Sequence, residues 1–250
     1  MFTQQTTNLT TGNITKQLIF LSLPLILVNI FQQFYNTIDA VIIGRFVNEN
    51  AFAGIGVAST VMNLFIFVIS GCCTGISIML AQFFGAKNLK RFRQEYFISL
   101  SFGLLFTLLV TFIGILTLPW ILEIIQTPVE IYDYLFIITL GLSATFLANF
   151  YNALLRAIGN TVVPLIFFGS SILINLFLDL LFIAVLDYGV TGAGVATVIS
   201  QLLMVVLSYV YLSFKTKDLL MTREDIHLDI SLLKKTFRLL ICTQNIGHIN

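Results

Sequence analysis

Charge is what this sequence most conspicuously lacks. Only 10% of its 250 residues are Asp, Glu, Lys or Arg, whereas 58% are hydrophobic. A soluble domain carries about 25% charged residues and roughly 45–50% apolar ones. A compact soluble fold does not hide so large an apolar fraction from water. The composition, with its mean hydropathy of +0.97, therefore indicates an integral membrane protein.

Other shortages exclude further classes of protein. The net charge is +1 and there is no basic tract, so the chain lacks the electrostatic footprint of a nucleic-acid-binding protein. The three cysteines have neither disulfide-framework nor metal-site spacing, and the two histidines lie in the polar C-terminal stretch. Common hydrolase and metalloprotease motifs are also absent. We expect neither an enzyme nor a zinc or haem site, and no cofactor.

Long apolar segments are what the sequence does have. Each exceeds the roughly 20 residues that a helix needs to cross the hydrocarbon core, and none shows the period-two alternation of barrel strands. The first is too long for a secretory signal and has no small-residue cleavage site. The six segments are 18–44, 51–84, 96–122, 131–157, 160–187 and 190–214.

These segments predict an all-α integral membrane protein with a six-transmembrane-helix bundle at 18–214. Cytoplasmic segments are predicted at 1–17 and 215–250. Twelve of the thirteen basic residues fall on one side of the predicted spans, and only Arg45 falls on the other. Because basic residues accumulate on the cytoplasmic side, we expect both termini there. The C-terminal segment fits either an amphipathic helix through Leu240 on the inner leaflet or a solvated linker helix.

Two aspartates lie well inside the predicted spans, Asp39 in the first and Asp179 in the fifth. A carboxylate at membrane depth is costly unless it is paired, protonated or hydrated. We expect no Lys or Arg inside any span to neutralise them. Their natural partner is then a mobile cation: a proton, a sodium ion or a cationic substrate. Structural pairing is the alternative.

Polar side chains form stripes around these aspartates. Within each stripe the residues are spaced three or four positions apart, so they lie on one face of the helix. Such stripes turned together would line a wet cavity, although any single Asn, Ser or Thr equally fits interhelical hydrogen bonding. The stripes comprise Asn29, Gln32, Asn36 and Asp39 in span one, Ser171, Asn175 and Asp179 in span five, and Thr197 and Gln201 in span six.

Depth along the helices groups some of these residues. At about 1.5 Å rise per residue, Tyr134, Asp39, Thr197 and Asp179 lie within roughly 5–12 Å of one boundary, with Asn175 one turn deeper. We expect these five to converge in the outer half of the bundle. Asn152 lies roughly 27 Å deeper than Tyr134 and is expected to line a lower part of the cavity. Pro24 is expected to bend span one, either as a hinge or as a packing kink.

Pro24 and three stretches of the sequence resemble the N-terminal half of a multidrug and toxic-compound extrusion (MATE) transporter. The stretches are QQFYNTIDAVIIGR at 32–45, LLRAIGNTVVPL at 154–165 and GVTGAGVATVISQ at 189–201. The resemblance implies one lobe of a twelve-helix cation-coupled antiporter that exports organic, often cationic, drugs or toxins. It implies a cation-coupling role for Asp39, Asn175, Asp179, Tyr134 and Thr197.

The same resemblance leaves the coupling ion as H⁺ or Na⁺. A sodium ion would be held by Asp39, Asn175, Asp179 and Thr197, and Asn152 corresponds to an Asn on the fourth helix of the family. Together with the stripes, this predicts a substrate cavity lined by Asn29, Gln32, Asn36, Asn152 and Gln201, with Pro24 as the hinge. The implied location is a bacterial plasma membrane.

Alternating access needs a second six-helix lobe, either a C-terminal half or a homodimer mate. The stretch 239–245 departs from the start of a seventh helix in that family, so we expect a truncated or split product. A non-transporting fragment or assembly partner is therefore one alternative. Flipping of a lipid-linked sugar is another, and it is disfavoured because no basic residue is expected inside the spans to bind a pyrophosphate.

Overall fold

A computed structural model describes residues 14–47, 49–125, 130–216 and 219. Within these residues the chain forms helices and no strand. The predicted segments 1–17 and 215–250, including the amphipathic stretch, lie almost entirely outside the described residues. The helices are α1 (Ile14–Phe46), α2 (Glu49–Gly85), α3 (Leu89–Ile125), α4 (Glu130–Leu140), α5 (Leu142–Ala157), α6 (Val162–Asp179), continued by a π-helical segment (Leu180–Val185), and α7 (Gly189–Lys215).

The described part of the chain supplies six membrane spans. Five helices are long and apolar enough to cross a bilayer alone: α1, α2, α3, α7, and α6 together with its π-helical segment. The sixth span is the pair α4 and α5, which are bent by 46° relative to each other. The prediction of a six-helix membrane bundle is therefore confirmed, with one span broken.

The break between α4 and α5 lies at Gly141. A side chain there would clash with Val198 of α7, so only a glycine lets the bend approach α7 this closely. The backbone stays hydrogen-bonded through the bend, because Gly141 N donates to Ile137 O at 2.9 Å and Thr145 N donates to Gly141 O at 3.0 Å. The span thus changes direction without leaving unpaired polar groups in the hydrocarbon.

Helices α5 and α7 form the centre of the bundle. Helix α5 is buried along most of its length and packs against α2, α3 and α7, while α7 also packs against α4 and α6. The opposite, outward faces carry large exposed apolar side chains such as Phe67 and Trp120. This arrangement suits a bundle whose outer surface contacts lipid rather than water.

The fifth span is less regular than the sequence predicts. After Asp179 the helix widens into the π-helical segment, in which Leu186 N donates to Leu181 O, five residues back, at 2.9 Å. The predicted span 160–187 gave no sign of this change. Single π-helical turns are often found at functional sites, where they re-aim neighbouring side chains. Here the change begins directly after one of the two aspartates.

Pro24 is buried inside α1, which continues through it as one helix. Proline removes one backbone donor and so weakens the helix locally without ending it. Its proposed role as a hinge stays a prediction.

Candidate ion site and cavity

Asp39 and Asp179 lie side by side where α1 packs against α6. Their side chains are close enough to interact directly. Asp179 is 1% exposed and Asp39 is half-buried. Two carboxylates in contact repel each other strongly where water is scarce. A cation shared by the pair, either a proton or a metal ion, removes that repulsion.

A hydrogen-bonded shell from α6, α7 and α1 surrounds the pair. The side-chain nitrogen of Asn175 donates to Asp179 Oδ2 at 2.8 Å, and its oxygen accepts from the backbone N–H of Thr197 at 3.2 Å, an amide orientation assigned from these partners. The Thr197 and Tyr35 hydroxyls lie 3.1 Å apart, and Tyr35 also interacts with Asp39. Each carboxyl is therefore tied to α7 through one intermediary side chain.

Tyr134 completes the cluster from α4. It lies near both carboxyls. Helix α4 packs directly against α7 here, because even a Cβ on Gly194 would lie 3.4 Å from Tyr134 and Ile137, in ordinary van der Waals contact. The structure thus brings together all five residues that the sequence grouped by depth: Asp39, Tyr134, Asn175, Asp179 and Thr197.

Tyr35 is the member of the cluster that sequence reasoning missed. It precedes Asp39 by four residues, so the two share one face of α1. That spacing was visible in the sequence, but the predicted stripe was built from amides and acids and left out the phenol. The hydroxyl contributes both a donor and an acceptor to the site.

The arrangement bears on the predicted sodium ligands. The oxygen of Asn175 faces the Thr197 backbone N–H, while its nitrogen faces Asp179. In this state the amide supports a carboxylate and offers no oxygen to a cation between the carboxyls. Within the described residues, no group of three or more His, Cys, Asp or Glu side chains comes together. The Thr197 hydroxyl faces Tyr35, so in this arrangement a sodium ion between the two acids would have their carboxyl oxygens as ligands.

Next to the ion site is a cavity of about 250 Å³. Helices α1, α2, α5, α6 and α7 line it. Four of the five predicted cavity residues contribute to the wall: Asn29, Gln32, Asn152 and Gln201. The side chain of the fifth, Asn36, lies outside the described part of the structure.

The cavity and the ion site share part of their walls. Tyr35, Asn175 and Thr197 line the cavity and also belong to the cluster around the carboxyls. Within the wall, Gln201 Oε1 accepts a hydrogen bond from Thr145 at 2.7 Å, which joins α5 to α7. The carboxyl pair and the cavity are therefore neighbours that share three residues.

The expectation that no basic residue lies inside a span is wrong. Arg156 belongs to the last turn of α5 and lines the cavity, and its buried Nε has no hydrogen-bond partner among the described residues. Arg156 is the next-to-last residue of predicted span 131–157 and was counted with the cytoplasmic residues that follow this span. Hydropathy does not report which side of a helix a residue occupies, and in the structure Arg156 lies on the side of α5 that lines the cavity.

Glu95 is an ionisable residue that the predicted boundaries of span three left out. Helix α3 begins at Leu89, seven residues before predicted span three, so Glu95 lies within the helix. It is 0% exposed and accepts a hydrogen bond from Ser99 Oγ at 2.7 Å. The two aspartates are therefore not the only buried acids in the described helices.

Comparison with known proteins agrees with this geometry. The family model MatE matches residues 24–181, which is more than half of the chain. The chain belongs to the MATE family. Members of this family are transporters and not enzymes, and the chain is a multi-pass membrane protein.

Two relatives show how much of a MATE protein is present. A probable multidrug resistance protein, YpnP of Bacillus subtilis, is 30% identical in a match that covers 77% of this chain and 44% of the relative. The probable multidrug resistance protein NorM of Thermotoga maritima is 28% identical over 75% of this chain and 42% of its own. The chain thus spans less than half the length of these MATE relatives.

Solved structures show the same relationship at the level of the fold. Crystal structures of MATE in the bent and in the straight conformation both superpose with a TM-score of 0.86, at 21% and 22% identity. Each comparison covers 97% of this chain and 55% of the solved one. The six-helix bundle is therefore the fold of one MATE lobe.

Proposed function

We propose that this chain forms the ion-coupling lobe of a cation-driven antiporter that exports organic drugs or toxins. The single observation that carries the proposal is the contact between Asp39 and Asp179 beside a cavity. Tyr35, Asn175 and Thr197 belong to both the ion site and the cavity wall. The binding of a cation and the shape of the cavity are therefore physically linked.

The mechanism follows from repulsion between the two carboxyls. Without a cation, Asp39 on α1 and Asp179 on α6 push their helices apart. A proton or a sodium ion that binds the pair draws α1 toward α6 and α7 and reshapes the cavity wall, which displaces the substrate. Pro24 is the point in α1 where a backbone hydrogen bond is missing, so the helix bends there at the least cost.

Exposed polar residues on one side of the cavity favour the presence of a second lobe. Asn29 and Gln32 line the cavity and are exposed, although both lie in a membrane-spanning helix. Polar side chains that face hydrocarbon are costly. We propose that a second six-helix lobe, from the same polypeptide or from a second copy, covers this side and lets the two lobes rock around the cavity. The location proposed is a bacterial plasma membrane, with both termini cytoplasmic.

Arg156 removes the objection to the alternative function, flipping of a lipid-linked sugar. That function was disfavoured because no basic residue was expected inside the spans, and Arg156 lines the cavity. A pyrophosphate carries more negative charge than one guanidinium neutralises. The ion site is, in addition, accounted for by a cation-driven exporter. Drug or toxin export is therefore the function we propose.

The test is efflux of a fluorescent organic cation from cells that lack their own exporters. The protein is expressed at matched levels as wild type, Asp39→Asn and Asp179→Asn. Asp133→Asn, which changes an exposed aspartate of α4, is the matched control. We expect efflux from the wild type and the control and none from the two site variants.

Separate proton and sodium gradients identify the coupling ion. Efflux by all four proteins alike would refute the role of the two carboxyls. A well-expressed wild type with no efflux under either gradient would favour the non-transporting alternative.

A further inference from the structure

Arg156 is the one charged side chain among the described residues that line the cavity. Its Nε is buried and finds no acceptor among those residues. A guanidinium is always protonated and holds five donors in a planar fork. Buried donors without partners are strongly unfavourable, so this group is suited to a ligand that supplies the acceptors.

A second buried polar atom without a partner lies one turn away. Asn152 precedes Arg156 by four residues on α5, lines the same cavity, and has a buried Oδ1 with no hydrogen-bond partner. Residues at this spacing face the same side of a helix. The unpartnered atom of Asn152 is an acceptor, whereas that of Arg156 is a donor. Together the two side chains form a polar patch with one unpaired donor and one unpaired acceptor.

This patch lies at the opposite end of the cavity from the ion site. Helix α5 ends at Ala157 and α6 begins at Val162, so Arg156 is near the start of α6, whereas Asp179 is at its end. Along α5, the lining residues run from Thr145 to Arg156, about 16 Å at 1.5 Å per residue. The cavity therefore has a positively charged guanidinium at one end, and the two carboxyls of the ion site lie beyond the other end.

We propose that the solute bound in this cavity carries an acidic group, such as a carboxylate, which binds Arg156. The inference rests on the proposed export function and names its substrate class. A planar carboxylate accepts two parallel hydrogen bonds from a guanidinium, which fixes its orientation as well as its charge. A solute with an additional cationic group would place that group toward Asp39 and Asp179.

A matched pair of dyes tests the proposal. Rhodamine 110 is a zwitterion with a free carboxylate, and rhodamine 123 is its methyl ester, a cation of nearly the same shape. Binding of each dye to the purified protein in phosphatidylcholine nanodiscs is measured by fluorescence anisotropy. We expect Arg156→Gln to weaken the binding of rhodamine 110 by a factor of roughly ten or more, because a charged hydrogen bond is lost. The affinity for rhodamine 123 should change by less than about twofold.

Two more variants keep the test valid if Arg156→Gln does not fold. Arg156→Lys keeps the charge but loses the planar fork, so we expect an intermediate affinity for rhodamine 110. Asn152→Asp supplies a carboxylate one turn from the guanidinium, which competes with the acidic group of the dye. It should weaken rhodamine 110 alone.

The results that would overturn the proposal are distinct from those against the exporter. If the variants lower the affinity for both dyes equally, or for neither, Arg156 does not recognise an acidic group. Binding of rhodamine 123 would still support an organic-solute site. If the wild type binds neither dye, both proposals fail. An acidic phospholipid headgroup offers similar chemistry to Arg156. If added phosphatidylglycerol weakens rhodamine 110 in the wild type but not in Arg156→Gln, the acidic group belongs to lipid and not to a solute.

Discussion

The hydroxyls of Tyr35 and Thr197 lie 3.1 Å apart and join α1 to α7 one helical turn from Asp39. Tyr35 also interacts with Asp39, and Thr197 is joined to Asp179 through Asn175. The two aspartates are thus connected by their own contact and by this second route through α7. Movement of α1 away from α7 at the ion site would lengthen or break the bond between these two hydroxyls.

Tyr35→Phe removes this bond and keeps the ring. Because one hydrogen bond contributes about 0.5–1.5 kcal/mol, we expect cation-driven efflux to fall roughly 2–10-fold. Initial efflux rates at equal expression provide the measurement. Tyr132→Phe is the control, since it also removes a phenol hydroxyl and keeps a ring, which stacks on Phe136. Equal rates for the two variants would contradict a role for the Tyr35 hydroxyl.

Asn175→Asp replaces the donor that supports Asp179 with a third acid of the same shape. At neutral pH the new carboxylate cannot donate to Asp179 and repels it. We expect the unfolding temperature in detergent to fall by several degrees at pH 8 and to recover at acidic pH, where a protonated side chain donates again. Asn149→Asp is a control on α5, where the amide donates only to the backbone oxygen of Thr145. An unfolding temperature independent of pH in Asn175→Asp would show that the donated bond is unimportant.

Gly103→Ala tests the packing of α3 against α5. A Cβ at Gly103 would clash with the ring of Phe146, which is itself buried. Overpacking of this kind costs about 1–3 kcal/mol, so the unfolding temperature should fall. Gly169→Ala on α6 is the matched control, because a Cβ there has no neighbour within 4 Å. It should stabilise the helix by roughly 0.5–1 kcal/mol. A drop of equal size in both variants would count against the close α3–α5 contact.

Membrane orientation is open to direct chemical labelling. The connection between α2 and α3 carries Lys87, and Lys90 follows in the first turn of α3. Arg45 is in the last turn of α1, at the other end of α2. In a background without native cysteines, Asn88→Cys should react with an impermeant maleimide only after the cells are opened. Arg45→Cys should react in intact cells. The reverse pattern would invert the predicted topology, since basic residues would then lie outside.

The membrane class, the six spans and the grouping of the five site residues could be predicted from the sequence. Apolar run length decides how many helices cross the bilayer. The regular rise of a helix places residues of different spans at comparable depths. Asp39 and Asp179 were noticeable because acids at membrane depth are rare and costly. Their proposed role in coupling still awaits the efflux experiment.

Arg156 shows where that reasoning failed. Hydropathy reports how apolar a segment is, but not which way its last turn faces, so the guanidinium was assigned to the cytoplasmic side. Tyr35 was missed for a related reason. Its value depends on Thr197, 162 positions away, and no local pattern links the two.

That this protein is a six-helix membrane lobe with two acids at similar depth follows from its amino-acid sequence alone. Local composition and helix geometry suffice for that, because each span forms its own backbone hydrogen bonds. The folded bundle was needed to show that the acids are in contact, that Tyr35 and Asn175 lie between them and a cavity, and that Arg156 lines the same cavity. Rotation and tilt of each helix depend on packing against its neighbours, as at Gly141 and Gly194, and packing is a property of pairs of helices.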